Sequence, residues 1–286
     1  MRWSPGRDSG NVEDRRGSSG IGMAPMGIGG TVILLVLSLI FGRDFVSGSC
    51  DQTAAPPAAA GDVPPASESP AEAKNVQLVK FVFDTAQVTW SKVLSQAGAP
   101  WHDAKLVLFR NATQTGCGVG QTAMGPFYCP VDQKIYIDLA FYDELRTRFG
   151  APGDFAEAYV ITHELGHHVQ HLLGTDVKVR RAQQQNPDQA NALSVALELQ
   201  ADCYAGVWAA HAEEVSGGKV ALEAGDLEEG LRAAAAVGDD TLQKQTRGRV
   251  VPDSFTHGSA AERQHWLQQG YSTGDPKACN TFGNAR

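Results

Sequence analysis

The sequence predicts an α+β fold, mostly helical with a small sheet, preceded by one membrane-spanning helix. Three observations carry this: an uncharged run over residues 24–42, two short apolar runs between turn formers at 105–110 and 134–138, and helix-period patterning through nearly everything after 138. The chain has 286 residues, 42% hydrophobic and 20% charged, which is apolar enough for one core. Acidic residues number 32 against 24 basic, a formal charge of -8, so the broad basic surface that nucleic acid demands is not expected.

Residues 1–23 are polar and glycine-rich, with arginines at 2, 7, 15 and 16 and no apolar period, and they read as a solvated, disordered cytoplasmic tail. The run APMGIGGTVILLVLSLIFG at 24–42 is close to the roughly 20 residues that cross a hydrocarbon core. Arginines ahead of it favour a cytoplasmic N-terminus and an extracytoplasmic domain, a single-pass arrangement. A buried core helix and a cleaved signal peptide with its cut before Cys50 are the rivals, and the long polar tail is atypical of the latter. Residues 43–74, dominated by Ala and Pro from 50 onward, form an extended linker. The folded domain is expected over 75–286.

Within it, residues 76–96 place Leu78, Val79, Val82, Phe83, Val88 and Trp90 at helical intervals, and Gly98 with Pro100 ends the pattern. KLVLFR at 105–110 and KIYID at 134–138 read as strands of a hairpin or small sheet. Later segments are helical, broken near 150–153, 174, 186–188, 217–218 and 251–253.

The chemistry lies on the helix expected to start with Asp154 as N-cap and to stop at Gly174. It carries His163-Glu164-Leu165-Gly166-His167. Residues four apart sit one turn above each other, so both imidazoles reach one ion, while Glu164, a position away, addresses water instead of ligating. His168 and His171 enrich the region further, and His167 with His171 is a second pair at the same spacing, but without a carboxylate suitably placed between them. A catalytic zinc takes three protein ligands, so one is missing. Glu198 and Asp202 are the only acids on the apolar run at 192–209, and acids on a buried face are costly unless paired or metal-bound. Glu198 is the expected third ligand. Asp202, four residues on, would accept the second N–H of a ligand histidine. A di-iron bundle would need a second Glu-x-x-His, which Glu198, followed at the third step by Ala201, does not supply.

The segments ITHELGHHVQ at 161–170, LELQADCYAGVWA at 197–209, GPFYCPVDQKIYIDLAFYDEL at 125–145 and VPDSFTHGSAAERQHW at 251–266 resemble the bacterial neutral zinc metallopeptidase family, whose members also open on a tail like MRW and RRG and a membrane span. The resemblance covers nearly all of the chain outside the linker. It implies a zincin-like fold and a membrane-associated zinc peptidase. More distantly, the chain is similar to zincins whose third ligand is a glutamate followed four residues later by a supporting acid, which falls here on Glu198 and Asp202. That wider group also implies a downstream histidine stabilising the oxyanion. His257, with Asp253 nearby to orient it, is the candidate, and Tyr204 competes with it.

Cys117 and Cys129 flank a loop suited to a bridge closing the hairpin, and Cys203 with Cys279 is the second favoured pair; four cysteines permit three connectivities. Such bridges persist outside the reducing cytosol, in keeping with the expected orientation. The expected function is zinc-dependent hydrolysis of a peptide or protein substrate, with Glu164 as general base and His163, His167 and Glu198 on Zn2+. The alternative is an inactive, zinc-stabilised binding or scaffold module at the cell envelope.

Overall fold

The computed structural model describes residues 1–5, 9–17 and 68–284. The expected membrane anchor at 24–42, Cys50 and most of the linker lie outside these; among the described residues no helix is long and apolar enough to cross a membrane. The N-terminal tail departs from expectation. Two of its segments, Arg2–Trp3 (β1) and Val12–Asp14 (β2), are strands paired with the domain, so these residues are ordered by tertiary contacts that their polar composition does not announce.

Helix α1, Pro70–Gln96, starts where the Ser69 side chain accepts the Glu72 amide and a proline fills the first helical position, whose N–H has no intrahelical partner anyway. Residues 70–74, expected in the linker, are therefore helical. The buried stripe holds Leu78, Val79, Val82, Phe83 and Trp90, whereas Val88 is 55% exposed. Nine steps of about 100° put Val88 on the side opposite Val79, so it does not belong to that stripe.

The two expected strands are Lys105–Phe109 (β3) and Lys134–Asp138 (β7), but they run parallel, with Leu106 opposite Ile135 and Leu108 opposite Ile137. No hairpin joins them. The chain between them makes a separate hairpin, Ala112–Thr115 (β4) with Gly118–Gln121 (β5), and then Phe127–Cys129 (β6), which is the antiparallel neighbour of β7. Sheet order is β2-β3-β7-β6. A three-residue strand leaves too little pattern to be read from sequence. The period of two sends Leu106, Leu108, Ile135 and Ile137 into the main core, while Val107, Phe109 and Tyr136 meet Cys129 and Phe127 on the other face.

Helices follow: Ala140–Thr147 (α2), Asp154–Leu172 (α3), Thr175–Gln185 (α4), Ala190–Ser216 (α5), Asp226–Ala236 (α6), Asp239–Arg247 (α7) and Ala260–Thr273 (α8). A two-residue strand, Val220–Ala221 (β8), interrupts them to receive β1. The N-cap of α3 is Gly153, not Asp154, whose carboxylate instead accepts Trp3 Nε1 at 2.8 Å. Gly174 does take the left-handed conformation expected after α3.

Among the described residues two bridges are present, Cys117–Cys129 and Cys203–Cys279. The first ties the β4–β5 turn to the end of β6 and does not close a β3–β7 hairpin. The second, buried at both ends, fastens the C-terminal segment to α5. Gln200 Nε2 donating to the Cys279 carbonyl and Thr281 Oγ1 donating to that of Ala196 hold the same junction.

Candidate metal centre

Helix α3 is buried on every side from Phe155 to Gly166, so polar groups on it must find partners inside the protein. It crosses α5 at very close range. A Cβ on Gly166 would stand 3.1 Å from the Cα of Ala201, so the glycine inside the HELGH motif is what lets the two backbones approach. That crossing sets Glu198, one turn before Asp202 on α5, beside both motif histidines. Glu198 Oε2 lies 3.2 Å from His163 Nε2 and Oε1 lies 3.4 Å from His167 Nε2. Ligand atoms of His163, His167 and Glu198 all fall within 4.8 Å of one another, the one such cluster among the described residues.

The donor set suits a divalent cation. His163 Nδ1 meets Asp202 Oδ1 at 2.8 Å, and His167 Nδ1 meets Gln170 Oε1 at 2.8 Å. Gln170 Nε2 donates to the Leu197 carbonyl and to Gln200 Oε1, which fixes the amide so that its oxygen faces His167. Both partners are acceptors, so each Nδ1 carries a proton and each Nε2 is left to face Glu198. Burial works against a charged His163, but Asp202 and Glu198 outweigh it and hold the imidazole up at about 10. His167 is likewise raised against burial, by Glu198, and Glu198 itself is held well below its ordinary value by the two imidazoles despite its own burial. Two imidazoles and a carboxylate thus hold either extra protons or a cation in the same space.

Asp202 is fully buried, and its neighbours were not legible in the sequence. Tyr159 Oη donates to Oδ1 at 2.6 Å, and Arg263 on α8 makes a two-pronged pair, Nε to Oδ2 at 2.8 Å and Nη2 to Oδ1 at 2.9 Å. Arg263 is 4% exposed. It reaches Asp202 because α8 meets α5 backbone to backbone: a Cβ on Gly270 would lie 1.9 Å from the Cys203 carbonyl oxygen, and one on Gly206 would lie 2.2 Å from that of Leu267. In the sequence Arg263 stands among Glu262, Gln264 and His265, one polar residue in a polar turn, which marks no partner.

Glu164 points into a cleft of about 470 Å³ whose walls include Phe127, Tyr128, Phe141, Phe149 and Val160. Burial, helped by Glu198, raises its carboxyl above the ordinary value, against the pull of both histidines. His257 lines the same cleft. Its orienting acid is Asp239, not Asp253. Asp239 Oδ2 accepts the His257 backbone N–H at 2.6 Å, and Oδ1 lies 3.4 Å from Nδ1, which is closer still, at 3.0 Å, to Thr256 Oγ1. Asp253 sits on an exposed turn, where its carbonyl accepts Asn191 Nδ2.

The remaining candidates stand apart. Tyr204 packs edge-on against Trp90 at 4.8 Å between ring centroids, away from the cleft. His168 is fully buried between the Tyr128 hydroxyl and the His102 carbonyl, and burial lowers its pKa. His171 Nδ1 is paired with Asp176. Neither belongs to the three-ligand cluster that includes His167.

Two helices thus present His-x-x-x-His and a glutamate in an aromatic-walled cleft, a three-ligand set that could hold one metal ion. The chain belongs to the family described as "Putative neutral zinc metallopeptidase", whose model matches residues 1–282. It is 47% identical to "Uncharacterized protein YpfJ" of Escherichia coli (strain K12) over 296 aligned residues, covering 100% of both chains. It is 52% identical over 185 residues to "Uncharacterized protein Rv2575" of Mycobacterium tuberculosis (strain ATCC 25618 / H37Rv), covering 62% of each. No solved structure matches.

Proposed function

We propose that the protein is a zinc-dependent endopeptidase, with the ion held by His163, His167 and Glu198. One observation carries the reading: three ligand atoms within 4.8 Å of one another on the floor of a cleft that Glu164 also faces. Zinc, when bound there, would acidify a water to about pH 7 and polarise a carbonyl. Glu164 takes a proton from the attacking water on its carboxylate and passes it to the leaving amine. Its buried setting, which favours the protonated form, suits a group that must both accept and release. Asp202 keeps the proton on His163 Nδ1 and so leaves Nε2 free to ligate, and Arg263 and Tyr159 hold Asp202 in place.

Asp239 and Glu198 keep His257 above its ordinary pKa against burial, so it offers an N–H to the oxyanion. Strand β6 is the outer strand of its sheet, and Phe127 and Tyr128 on it line the cleft. A peptide main chain would add there as a further strand, with an apolar side chain against Phe141, Phe149 and Val160. The apolar run at 24–42 and the two disulfides fit a place at the bacterial envelope, on its oxidising side.

The Glu164→Gln variant tests this. It should lower hydrolysis of a broad peptide library by about 10²–10⁴-fold while stoichiometric zinc, measured by metal analysis, stays bound. Equal turnover by both forms would overturn the role of Glu164, and none by either with zinc present would favour the non-catalytic binding module instead.

A further inference from the structure

The described N-terminal residues, 1–5 and 9–17, pair with the domain at two places. β1 pairs antiparallel with β8, Trp3 opposite Val220, and β2 lies parallel on the outer edge of β3, Val12 opposite Leu106. Residues on either side also reach α1 and the residues just ahead of it. The Trp3 ring stacks on Phe81 with centroids 5.8 Å apart, the Ser9 amide donates to Asp84 Oδ2 at 3.1 Å, and Arg16 pairs with Glu68 and Glu72 at 2.9 and 2.8 Å. Backbone bonds close the register: Leu106 N to the Asn11 carbonyl at 2.9 Å, Arg15 N to that of Leu108 at 2.8 Å, and Ser4 N to that of Lys219 at 3.0 Å.

This surface does three things at once. It covers the open edge of β3, whose unpaired N–H and C=O groups would otherwise template foreign strands. It buries part of Trp3 and Val12 against the main core. Through Trp3 Nε1 it also holds Asp154, the first residue of the helix that bears His163 and His167. A segment this polar has no reason to adopt strands alone; the domain supplies the reason.

We propose that residues 1–5 and 9–17 are an integral strap of the domain, so that the strap and the His163–His167–Glu198 cleft occupy one compartment. The positive-inside reading separates them across a bilayer. Two strand pairings, a ring stack and ion pairs cannot form across one, so the described N-terminal residues and the domain lie on the same side. The disulfides place that side outside the cytosol. This inference does not depend on the site's being catalytic.

The experiment uses the full chain in intact bacteria. In a Cys50→Ala background, Ser4→Cys replaces an exposed side chain at a residue whose backbone N–H bonds the Lys219 carbonyl, and Val131→Cys, 73% exposed, reports the domain. A membrane-impermeant maleimide should label both from outside, to similar extent, without permeabilisation. Labelling of Val131→Cys alone until the membrane is opened would overturn the proposal. Hydrogen exchange on the purified, detergent-solubilised wild-type chain supplies the second readout. The amides of Ser4, Leu106 and Arg15 should exchange at least 100-fold more slowly than unstructured ones; exchange at the unstructured rate would equally overturn it.

Discussion

Arg263 is the residue on which the site's geometry depends without touching the ion. Its two bonds to Asp202 neutralise a carboxylate with no access to water, and that carboxylate orients His163. Replacing Arg263 by Met keeps the volume but leaves Asp202 uncompensated, and breaking such a buried pair costs about 3–5 kcal/mol. The expected result is a lower melting temperature together with zinc affinity weakened about 10–100-fold, as for lost partners of ligand histidines. A melting shift with unchanged zinc affinity in competition with a chelator would reduce Arg263 to a packing role. His257→Ala makes the complementary prediction. Loss of one oxyanion donor costs about 10²–10³ in kcat, zinc content should not move, and KM should change little.

At the scale of elements, helices α3, α5 and α8 are brought together by glycines, and the crossing points decide which side chains meet. Gly270 has the least room, with backbone and not a flexible side chain in the way of a Cβ. Gly270→Ala should therefore force α8 off α5, with a loss of about 3 kcal/mol or more, at the upper end of overpacking costs. Calorimetry would show a fall of roughly 2–4 °C per kcal/mol. Because the displaced helix carries Arg263, zinc affinity should fall with it. Gly166→Ala, whose contacts at 3.1–3.3 Å are tight but not prohibitive, should cost less stability while moving Glu198 relative to the two imidazoles. Unchanged metal affinity in that variant would show that the α3–α5 spacing is not what sets the site.

For the whole molecule, two features fasten distant parts of the chain. The Cys203–Cys279 bridge spans 76 residues, and closing a loop of that size is worth about 4–5 kcal/mol in the chain-entropy model. Cys203→Ala with Cys279→Ala should lower stability by that order and loosen the C-terminal segment from α5, as seen by proteolysis. The strap is held partly by carboxylates. Arg16 pulls Asp14 below its ordinary value and Lys134 does so for Glu13, each against burial; burial pushes Glu72 up, but Arg110 and Arg16 bring it below its ordinary value. A depressed folded-state pKa stabilises above the unfolded value, near 4, and that contribution is lost as pH falls through the folded one. Protection factors of the Arg15 and Leu106 amides, relative to the intrinsic rate at each pH, should accordingly fall below about pH 4 and stay level between pH 5 and 8. Salt at 1 M should weaken the exposed pairs further.

Read alone, the sequence determined the local features: the helix that carries His163, Glu164 and His167, the left-handed stop at Gly174, the strands at 105–109 and 134–138, and the choice of Glu198 and Asp202 as the two acids an apolar helix could not tolerate unpaired. These follow from periodicity and from the cost of burying charge, which act over a few residues. Tertiary structure decided the rest: that β3 and β7 run parallel, that a tail of arginines and glycines becomes two strands, that Asp239 and not Asp253 faces His257, and that Arg263 closes the polar cluster from 61 residues beyond Asp202. Each of those depends on which backbones can approach closely, and on partners far along the chain that leave no periodic trace in it.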